Sequence, residues 1–430
     1  MKNALNCQSM MKSVRNVFKK ASPDSNTSTV PIEDCLMSGL ALFALKYPSL
    51  LQFDNDRARI AQNMKNLFMV DKVPSDTYLR ERLDEVEPSK LRSCFTRLFS
   101  AVQRSKKLEA YQYINGSYCV SLDASGYFSS KTIHCDECCT KKHRDGTTTY
   151  YHQILQAAMV HPQLKQVIPF APEPICNQDG TKKNDCERNA AKRLLADMRR
   201  EHPHLDITIL ADGLYSNDPF LELLEKYNMH YIITAKPGDH AWLFDYVQHA
   251  NCESYEIKDS NGYTHQFQFI NDAPLNESNE NRRVNFIDYK EISPKGKTKK
   301  FTWITDFRIS EKNVFALMRG GRARWRIENE TFNTLKNQGY NFEHNFGHGY
   351  KHLSHIFANL MLLAFMIDQI QEMGCKDFKK ALQNRCNKLS YVWQQVRFTF
   401  FTFVAKSWQH LYQWIGSFTA DQQLPLPDTS

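Results

Sequence analysis

Residues 207–213 have the sequence Ile-Thr-Ile-Leu-Ala-Asp-Gly, and they decide the fold class of this chain. A continuous apolar run of this kind predicts a strand that is buried on both faces. Helical patterns lie on either side, at 185–200 and 219–227, and a second apolar run follows at 231–234. Because strands alternate with helices, the sequence predicts an α/β fold built on a mixed sheet.

Two aspartates are predicted at the points where strands leave this sheet. Asp212 follows the apolar run directly, and Asp123 follows a strand predicted at 118–122. Ligands and catalytic groups collect at strand ends in open α/β sheets. Two neighbouring carboxylates repel each other, and their oxygens select a hard cation such as Mg²⁺ or Mn²⁺. The alternative is that each aspartate only caps a turn.

A third acidic position lies in residues 324–330, Arg-Trp-Arg-Ile-Glu-Asn-Glu. Arg324 and Glu328 are four residues apart on a predicted helix and therefore share a face. The simplest interpretation is an exposed ion pair, and Glu330 is a rival for any role given to Glu328.

In their order and spacing, Asp123, Asp212 and Glu328 resemble the DDE triad of cut-and-paste transposases from bacterial insertion sequences. The resemblance covers about residues 115–350 and includes a β-rich insertion between the second Asp and the Glu, predicted here at 250–306. It implies an RNase H-like (retroviral-integrase-like) catalytic core within the α/β class. It also implies DNA cleavage at transposon ends and strand transfer into target DNA, with Mg²⁺ or Mn²⁺ held by the three carboxylates.

That branch of transposases carries a signature of Tyr, Arg three residues on, the catalytic Glu four further on, and a Lys seven beyond the Glu. Arg324 and Glu328 match this spacing. Gly321 stands at the Tyr position and Leu335 at the Lys position, with Lys336 one residue late. In the family the Tyr and Lys contact phosphates of the transposon end, and we expect Lys336 to reach a phosphate despite the offset.

Further DNA contacts are predicted from basic and aromatic residues. Arg322, Arg324 and Arg326 crowd the segment that leads into Glu328, and backbone phosphates attract such residues. The resemblance implies that an aromatic side chain stacks on a base flipped out of the transposon end, and Trp303 is in a suitable segment. The alternative is that Trp303 is a buried strand aromatic.

A second metal site is predicted within residues 134–143, which contain Cys-x2-Cys and Cys-x3-His spacings typical of zinc ligands. The candidate ligands for a structural Zn²⁺ are Cys135, Cys138, Cys139 and His143. Zinc modules usually bring a second pair from further along the chain, which Cys176 and Cys186 would supply. The alternative is that these are ordinary buried thiols.

Six segments make up the predicted organisation, divided where the composition and the apolar periodicity change. They are a basic arm and linker (1–30), a helical N-terminal domain (31–112), the first part of the catalytic core (113–249), the β-rich insertion (250–306), the second part of the core with the Glu helix (307–375), and a helical, aromatic-rich C-terminal region (376–430).

The composition indicates a folded protein. Of its 430 residues, 42% are hydrophobic and 24% charged, which excludes wholesale disorder. The most apolar stretch, 356–370, is interrupted by Asn359 and Asp368 and falls short of the ~20 residues of a membrane span. The first 20 residues lack the apolar core of a secretory signal. Twelve cysteines in such a chain indicate reduced thiols or metal ligands rather than a disulfide framework.

These features predict a cytoplasmic protein that associates with the nucleoid when it binds DNA and makes no contact with a membrane. The partners implied by the resemblance are double-stranded DNA, as terminal inverted repeats and target, and a second subunit in a dimeric synaptic complex. Two other functions remain open. One is an RNase H-like nuclease without strand transfer. The other is a non-catalytic DNA-binding protein descended from a transposase, whose mark would be a lost triad carboxylate, whereas all three are present.

Overall fold

The computed structural model of this chain describes residues 5–21, 29–177, 186–277, 279 and 281–417. The described residues form two compact units. The helical unit comprises the described parts of Met1–Lys107, Ile133–Asp136 and Thr334–Ser430, and the sheet unit those of Leu108–Thr132 and Glu137–Asn333. Most of the predicted linker (22–28) and the end of the predicted C-terminal region (418–430) lie outside the described residues.

Among the described residues, the two units contain fourteen α-helices and eleven β-strands. The helices are α1 (Cys7–Phe18), α2 (Ile32–Ala44), α3 (Leu50–Asn63), α4 (Asp76–Asp84), α5 (Arg92–Arg104), α6 (Glu187–Glu201), α7 (Asp218–Lys226), α8 (Ala241–His249), α9 (Val314–Ala323), α10 (Asn333–Asn337), α11 (Leu353–Gly374), α12 (Lys376–Asn384), α13 (Leu389–Thr402) and α14 (Trp408–Ser417). The strands are β1 (Tyr118–Ser130), β2 (Cys139–Lys142), β3 (Thr148–His161), β4 (Leu164–Pro169), β5 (Glu173–Ile175), β6 (Ile207–Ala211), β7 (His230–Thr234), β8 (Glu253–Lys258), β9 (Thr264–Pro274), β10 (Arg283–Ile292) and β11 (Thr298–Thr305).

Helix α11 is the centre of the helical unit. Its side chains from Leu353 to Gln371 are all buried, and it packs against α2, α4 and α5. A helix that is apolar around its whole circumference belongs in a core. By length and composition α11 is the one helix of the described residues that would cross a membrane, and its burial inside the protein is that of a core helix.

Helix α1 occupies the segment predicted as a basic arm. Its Met10, Met11, Val14 and Phe18 are buried, and the helix packs against α2 and α5. The basic residues of this segment conceal an apolar stripe at helical spacing, so the description of 1–30 as an arm was wrong for Cys7–Phe18.

The two helical regions predicted at opposite ends of the chain belong to one unit. Helices α12, α13 and α14 join α1–α5 there, as does α11 from the segment predicted as the second part of the core. Long-range packing around α11 produces this arrangement, and local periodicity carries no information about which helices share a core.

The sheet unit contains a mixed sheet of eleven strands within the described residues. Its order is β2-β3-β1-β6-β7-β11-β10-β9-β8, and β4 and β5 pair with β3. Strands β1, β6 and β7 are parallel to one another, and the remaining pairs are antiparallel. The predicted mixed α/β architecture is confirmed.

The predicted β-rich insertion, 250–306, contains strands β8 to β11 and continues the central sheet. Trp303, Ile304 and Thr305 of β11 pair antiparallel with Thr234, Ile233 and Ile232 of β7. The insertion is therefore joined to the parallel strands by backbone hydrogen bonds.

Candidate active site

Strand register brings Asp123 and Asp212 together. Strands β1 and β6 pair in parallel, with Ser121 opposite Leu210, and this pairing ends there. Continuing the register by two residues places Asp123 opposite Asp212, on strands that lie about 4.8 Å apart. Strand β1 itself continues to Ser130 along β3, so Asp123 lies within the strand, two residues beyond its parallel pairing, rather than at its end.

The helical segment that carries Glu328 packs on the same face of β1. The Ser121 hydroxyl donates a hydrogen bond to the Arg324 carbonyl over 3.0 Å. Side chains two residues apart in a strand point to the same face, so Ser121 and Asp123 both face this segment. Residues Ile327–Phe332 form a π-helical turn rather than a regular α-helix. Such turns occur frequently at functional sites.

Crowded carboxylates perturb the acidity of Asp123. Burial and then the negative charge of Glu328, with a smaller contribution from Asp212, raise the pKa of Asp123 to about 6, although Arg324 opposes this. Arg324 forms an ion pair with Glu328, with 2.9 Å between Nη1 and Oε1. Arg324 supplies one positive charge against three carboxylates, so the site keeps a net negative charge.

Glu330, the rival third acid, has a different environment. Its carboxylate faces Arg326 at 3.5 Å, and its charge is not among the causes that shift the pKa of Asp123. These contacts support Glu328 as the third member of the acidic group.

Two more residues line the region around Asp212, and sequence analysis gave them little or no role. Glu187 is the first residue of α6, and burial together with the charge of Asp212 raises its pKa. Tyr215 is 1% exposed, and its hydroxyl has no hydrogen-bond partner among the described residues. Burial first, then the charges of Glu187, Asp212 and Asp123, raise the pKa of this hydroxyl far above its usual value. The signal available in the sequence was a tyrosine three residues after a strand-end aspartate.

The turn after Asp212 is held rigidly by its own hydrogen bonds. An Asp212 carboxylate oxygen accepts from the Leu214 N–H at 3.0 Å. The Ser216 hydroxyl donates to the Gly213 carbonyl, and Ser216 Oγ lies 2.7 Å from His240 Nε2. Because the serine proton is used on the carbonyl, His240 donates from Nε2, which fixes its tautomer. Asp212 thus caps this turn, as the alternative interpretation held, while its carboxylate also faces the other acids.

The donor set fits a hard divalent cation. Asp123, Asp212 and Glu328 supply carboxylate oxygens, the ligands that Mg²⁺ and Mn²⁺ prefer. Burial and the neighbouring carboxylates both disfavour the charged form of Asp123, and Arg324 offsets this only in part. A cation would supply positive charge and relieve the repulsion.

The three arginines predicted to bind DNA all have partners within the sheet unit. Arg322 pairs with Glu291 at 2.5 Å and lies over the Phe301 ring, and Arg324 pairs with Glu328. Arg326 donates to the Pro162 carbonyl at 2.9 Å. Their contact with DNA stays a prediction.

The buried Trp303 indole accounts for the glycine at position 321. The Trp303 indole is 3% exposed and stacks on Phe301, with ring centroids 5.7 Å apart. A Cβ atom at position 321 would lie 2.6 Å from the Trp303 indole nitrogen. The glycine at the signature Tyr position is therefore required by this tryptophan. The burial of Trp303 favours the strand-aromatic interpretation over a base-stacking role.

Position 335 lies in the protein core, whereas position 336 lies at the surface. Leu335 is fully buried, whereas Lys336 pairs with Glu343 at 2.7 Å and keeps a third of its side chain exposed. Only Lys336 is available to a phosphate, so the offset from the signature has a packing reason.

The predicted zinc ligands have partners other than those the spacing suggested. In the sheet unit, Cys138 Sγ lies 3.3 Å from His152 Nε2, and both residues are buried. His143 Nε2 instead lies 2.8 Å from the Thr149 hydroxyl on the surface, and Cys139 donates to the Ile175 carbonyl. The histidine that accompanies Cys138 is thus His152 rather than His143.

Cys135 belongs to the helical unit, where its partner is His348. Burial lowers the pKa of His348, but hydrogen bonds to Cys135 and to the Gly349 carbonyl outweigh this and raise it. Cysteine is therefore paired with histidine in this unit as well.

Comparison with known protein families matches residues 136–367 to the family described as transposase DDE domain. The match covers more than half of the chain and includes Asp212 and Glu328. It begins after Asp123, whose place in the site rests on strand register and electrostatics. No curated protein matches the chain. The resemblance drawn from the three acids is confirmed at the level of the family.

Proposed function

Because this chain belongs to the family of the transposase DDE domain, we propose that it cleaves DNA at transposon ends and joins those ends to target DNA. In this proposal β1, β6 and β7 with their helices are an RNase H-like core, and Asp123, Asp212 and Glu328 hold Mg²⁺ or Mn²⁺. The observation that supports it is that strand register and the Ser121–Arg324 hydrogen bond bring Asp212 and Glu328, from distant parts of the chain, close enough to Asp123 for their charges to add to burial in raising its pKa to about 6.

Metal-ion catalysis gives the three crowded carboxylates a function. A divalent cation, when bound, activates the attacking hydroxyl and stabilises the departing 3′ oxygen during in-line displacement at phosphorus. Asp123 and Asp212 are fixed on strands and the turn after β6, so their oxygens need no reorganisation before reaction. Arg324 orients Glu328 through their ion pair.

DNA binding is proposed for three basic residues that lie near Glu328 along the chain. Arg322, Arg326 and Lys336 now pair with Glu291, Glu330 and Glu343. Glu343 is largely exposed, and an exposed ion pair is worth about 0–1 kcal/mol, so a phosphate would displace it from Lys336 at little cost. Glu291 is buried and the Arg326–Glu330 pair is half-buried, so Arg322 and Arg326 would bind a phosphate beside their carboxylates, and Arg324 would stay with Glu328.

The π turn supports the phosphate role of Lys336. A π turn closes i→i+5 hydrogen bonds and so contains one residue more than an α turn. The turn at Ile327–Phe332 contains Glu328 and ends four residues before Lys336. One extra residue accounts for a lysine that follows the glutamate by eight positions rather than seven.

The substrates follow from the same proposal. They are the terminal inverted repeats of an insertion sequence and a target duplex, acted on by two subunits in a synaptic complex in the cytoplasm. Pairing of two ends before cleavage would keep single ends from being nicked.

Structural zinc is proposed for the cysteine-rich segment, with Cys138 and His152 as two of its ligands. Elemental analysis of protein purified without chelator should give about one zinc per chain. Cys138→Ser and His152→Ala should each lose it, while His143→Ala keeps it, because His143 bonds to Thr149. The proposal is wrong if wild-type protein contains no zinc, or if His143→Ala is the only variant that loses its zinc.

The decisive test of function uses labelled duplexes that carry the inverted repeats flanking the gene. With Mg²⁺ we expect specific nicking and strand-transfer products, and none in EDTA. Cleavage without joined products would support the nuclease alternative, and specific binding without cleavage would support a non-catalytic descendant.

A further inference from the structure

The Tyr215 hydroxyl is a buried donor that the described protein leaves unused. The residue is 1% exposed, its ring packs against Phe220 with centroids 4.8 Å apart, and its hydroxyl has no partner among the described residues. Buried hydroxyls are nearly always hydrogen-bonded, because leaving one unpaired is unfavourable. An acceptor for it has to come from outside the described protein groups.

Local geometry directs this hydroxyl to the acidic group. Asp212 precedes the short 3₁₀ turn Gly213–Tyr215, and the Tyr215 N–H donates to the Asp212 carbonyl at 3.2 Å. The Asp212 side chain caps this turn by accepting a hydrogen bond from the Leu214 N–H, so its carboxylate lies against the turn that carries Tyr215. Burial first, and then the charges of Glu187, Asp212 and Asp123, raise the pKa of its hydroxyl and keep it protonated.

The turn cannot easily direct the tyrosine elsewhere. Ser216, the next residue, is 2% exposed and is fixed by the Gly213 carbonyl and by His240. His240 is itself 6% exposed. The backbone on either side of Tyr215 is therefore held by buried hydrogen bonds, which leaves the hydroxyl preorganised.

We propose that Tyr215 donates a hydrogen bond to a water molecule that ligates the divalent cation held by Asp123, Asp212 and Glu328. The hydroxyl is too deeply buried to meet a DNA phosphate, whereas a water molecule is small and has the lone pair that the hydroxyl needs. Tyr215 is a positioning residue, because it acts through this water. The proposal rests on the proposed function, since it requires the metal site.

The test compares Tyr215→Phe with a matched control, Tyr111→Phe, in the full chain. Tyr111 is also in the sheet unit and 2% exposed, but its hydroxyl donates to the Gln166 carbonyl at 3.0 Å. Mn²⁺ is the probe, with free ion measured from its EPR signal during titration, and metal-free stability is measured by thermal unfolding.

Tyr215→Phe should weaken Mn²⁺ binding roughly tenfold, the usual effect of removing an outer hydrogen bond at a metal site. Its metal-free unfolding temperature should equal or exceed that of wild type, because no internal hydrogen bond is lost. Tyr111→Phe should show the reverse, with lower stability and unchanged Mn²⁺ affinity.

Two results would overturn this role, and they differ from failure of the proposed function. Equal Mn²⁺ affinity in wild type and Tyr215→Phe would show that the hydroxyl does not act on the metal site. A loss of metal-free stability in Tyr215→Phe like that of Tyr111→Phe would show that it has an internal acceptor. If wild-type protein binds no Mn²⁺, the metal site itself fails, and the role of Tyr215 with it.

Discussion

Two acids of the helical unit and the acidic group around Asp123 in the sheet unit have opposite environments. In the helical unit, Asp368 is buried against Lys46 at 2.7 Å and accepts a hydrogen bond from Tyr340. Asp84 accepts backbone N–H groups from all four residues between Tyr350 and Leu353, where α11 begins. Each carboxylate there has its own donors.

In the sheet unit, Asp123 has one backbone donor, Ala124, and otherwise faces Glu328 and Asp212. Like charges are gathered there, and the buried Tyr215 hydroxyl is left without an acceptor among the described residues. Local rules agree with the fold in most of a protein and conflict with it at functional sites. The contrast separates acids that have their own donors from the acids that we propose bind a cation.

The largest expected effect comes from neutralising the crowded acids. Asp123→Asn, Asp212→Asn and Glu328→Gln should each lower end cleavage by at least about 10³-fold, because metal-ion catalysis is worth several kcal/mol. Metal-free Asp123→Asn should unfold at the same or a higher temperature than wild type, since repulsion with Glu328 is removed. Glu330→Gln is the control and should keep most of the activity. Full cleavage activity in any of these three variants would mean that the active site lies elsewhere in the protein.

Breaking the buried Lys46–Asp368 pair should lower the stability of the protein, in contrast to neutralising Asp123. Lys46→Met leaves Asp368 buried without its cation and should cost about 3–5 kcal/mol of unfolding free energy, measured by urea denaturation. The double variant Lys46→Met/Asp368→Leu should recover most of that loss. A single variant as stable as wild type would mean that the buried pair contributes no compensation.

Asp84 gives a smaller effect with a defined pH dependence. Burial raises its pKa, but the backbone donors of Tyr350 and its three successors outweigh this and lower it below the ordinary value of an aspartate. The stabilisation is therefore present above about pH 4 and is lost as the pH falls through the native pKa. At pH 7, Asp84→Asn should cost about 1–2 kcal/mol, as for loss of a helix cap.

The cost of Asp84→Asn should shrink towards zero near pH ~2, as measured by thermal unfolding across pH. Asp71→Asn is the control, because its pair with Lys65 is largely exposed, and it should change stability little at any pH. A constant difference between wild type and Asp84→Asn would show that the charge of Asp84 is not what the backbone donors stabilise.

The smallest expected effect is that of Lys336→Ala. Replacing this lysine should reduce the slope of log affinity against log salt by about one phosphate contact, measured by band shift on transposon ends. Metal binding should not change, because an ammonium group does not ligate cations. Glu343→Gln, which frees Lys336, should leave the slope intact, and superimposable curves for Lys336→Ala and wild type would make Lys336 a surface residue only.

The sequence by itself determined the local elements and the chemistry they present. The run Ile207–Ala211 forms the buried strand β6 because every residue in it is apolar or β-branched, and Asp212 follows it as predicted. The match of residues 136–367 confirms the family to which the three acids pointed. These features are encoded in adjacent residues and in spacings along the chain.

Tertiary structure alone decided which of several chemically equivalent residues face each other. Glu328 and Glu330 share one helical segment, yet of these two the charge of Glu328 is among the main influences on Asp123, while Glu330 pairs with Arg326. Similarly, His152 rather than His143 meets Cys138, and Tyr215 lies buried beside acids that are distant in sequence. Periodicity specifies which face of an element is apolar. The partner of that face depends on register and packing between segments far apart in the chain, which no local pattern contains.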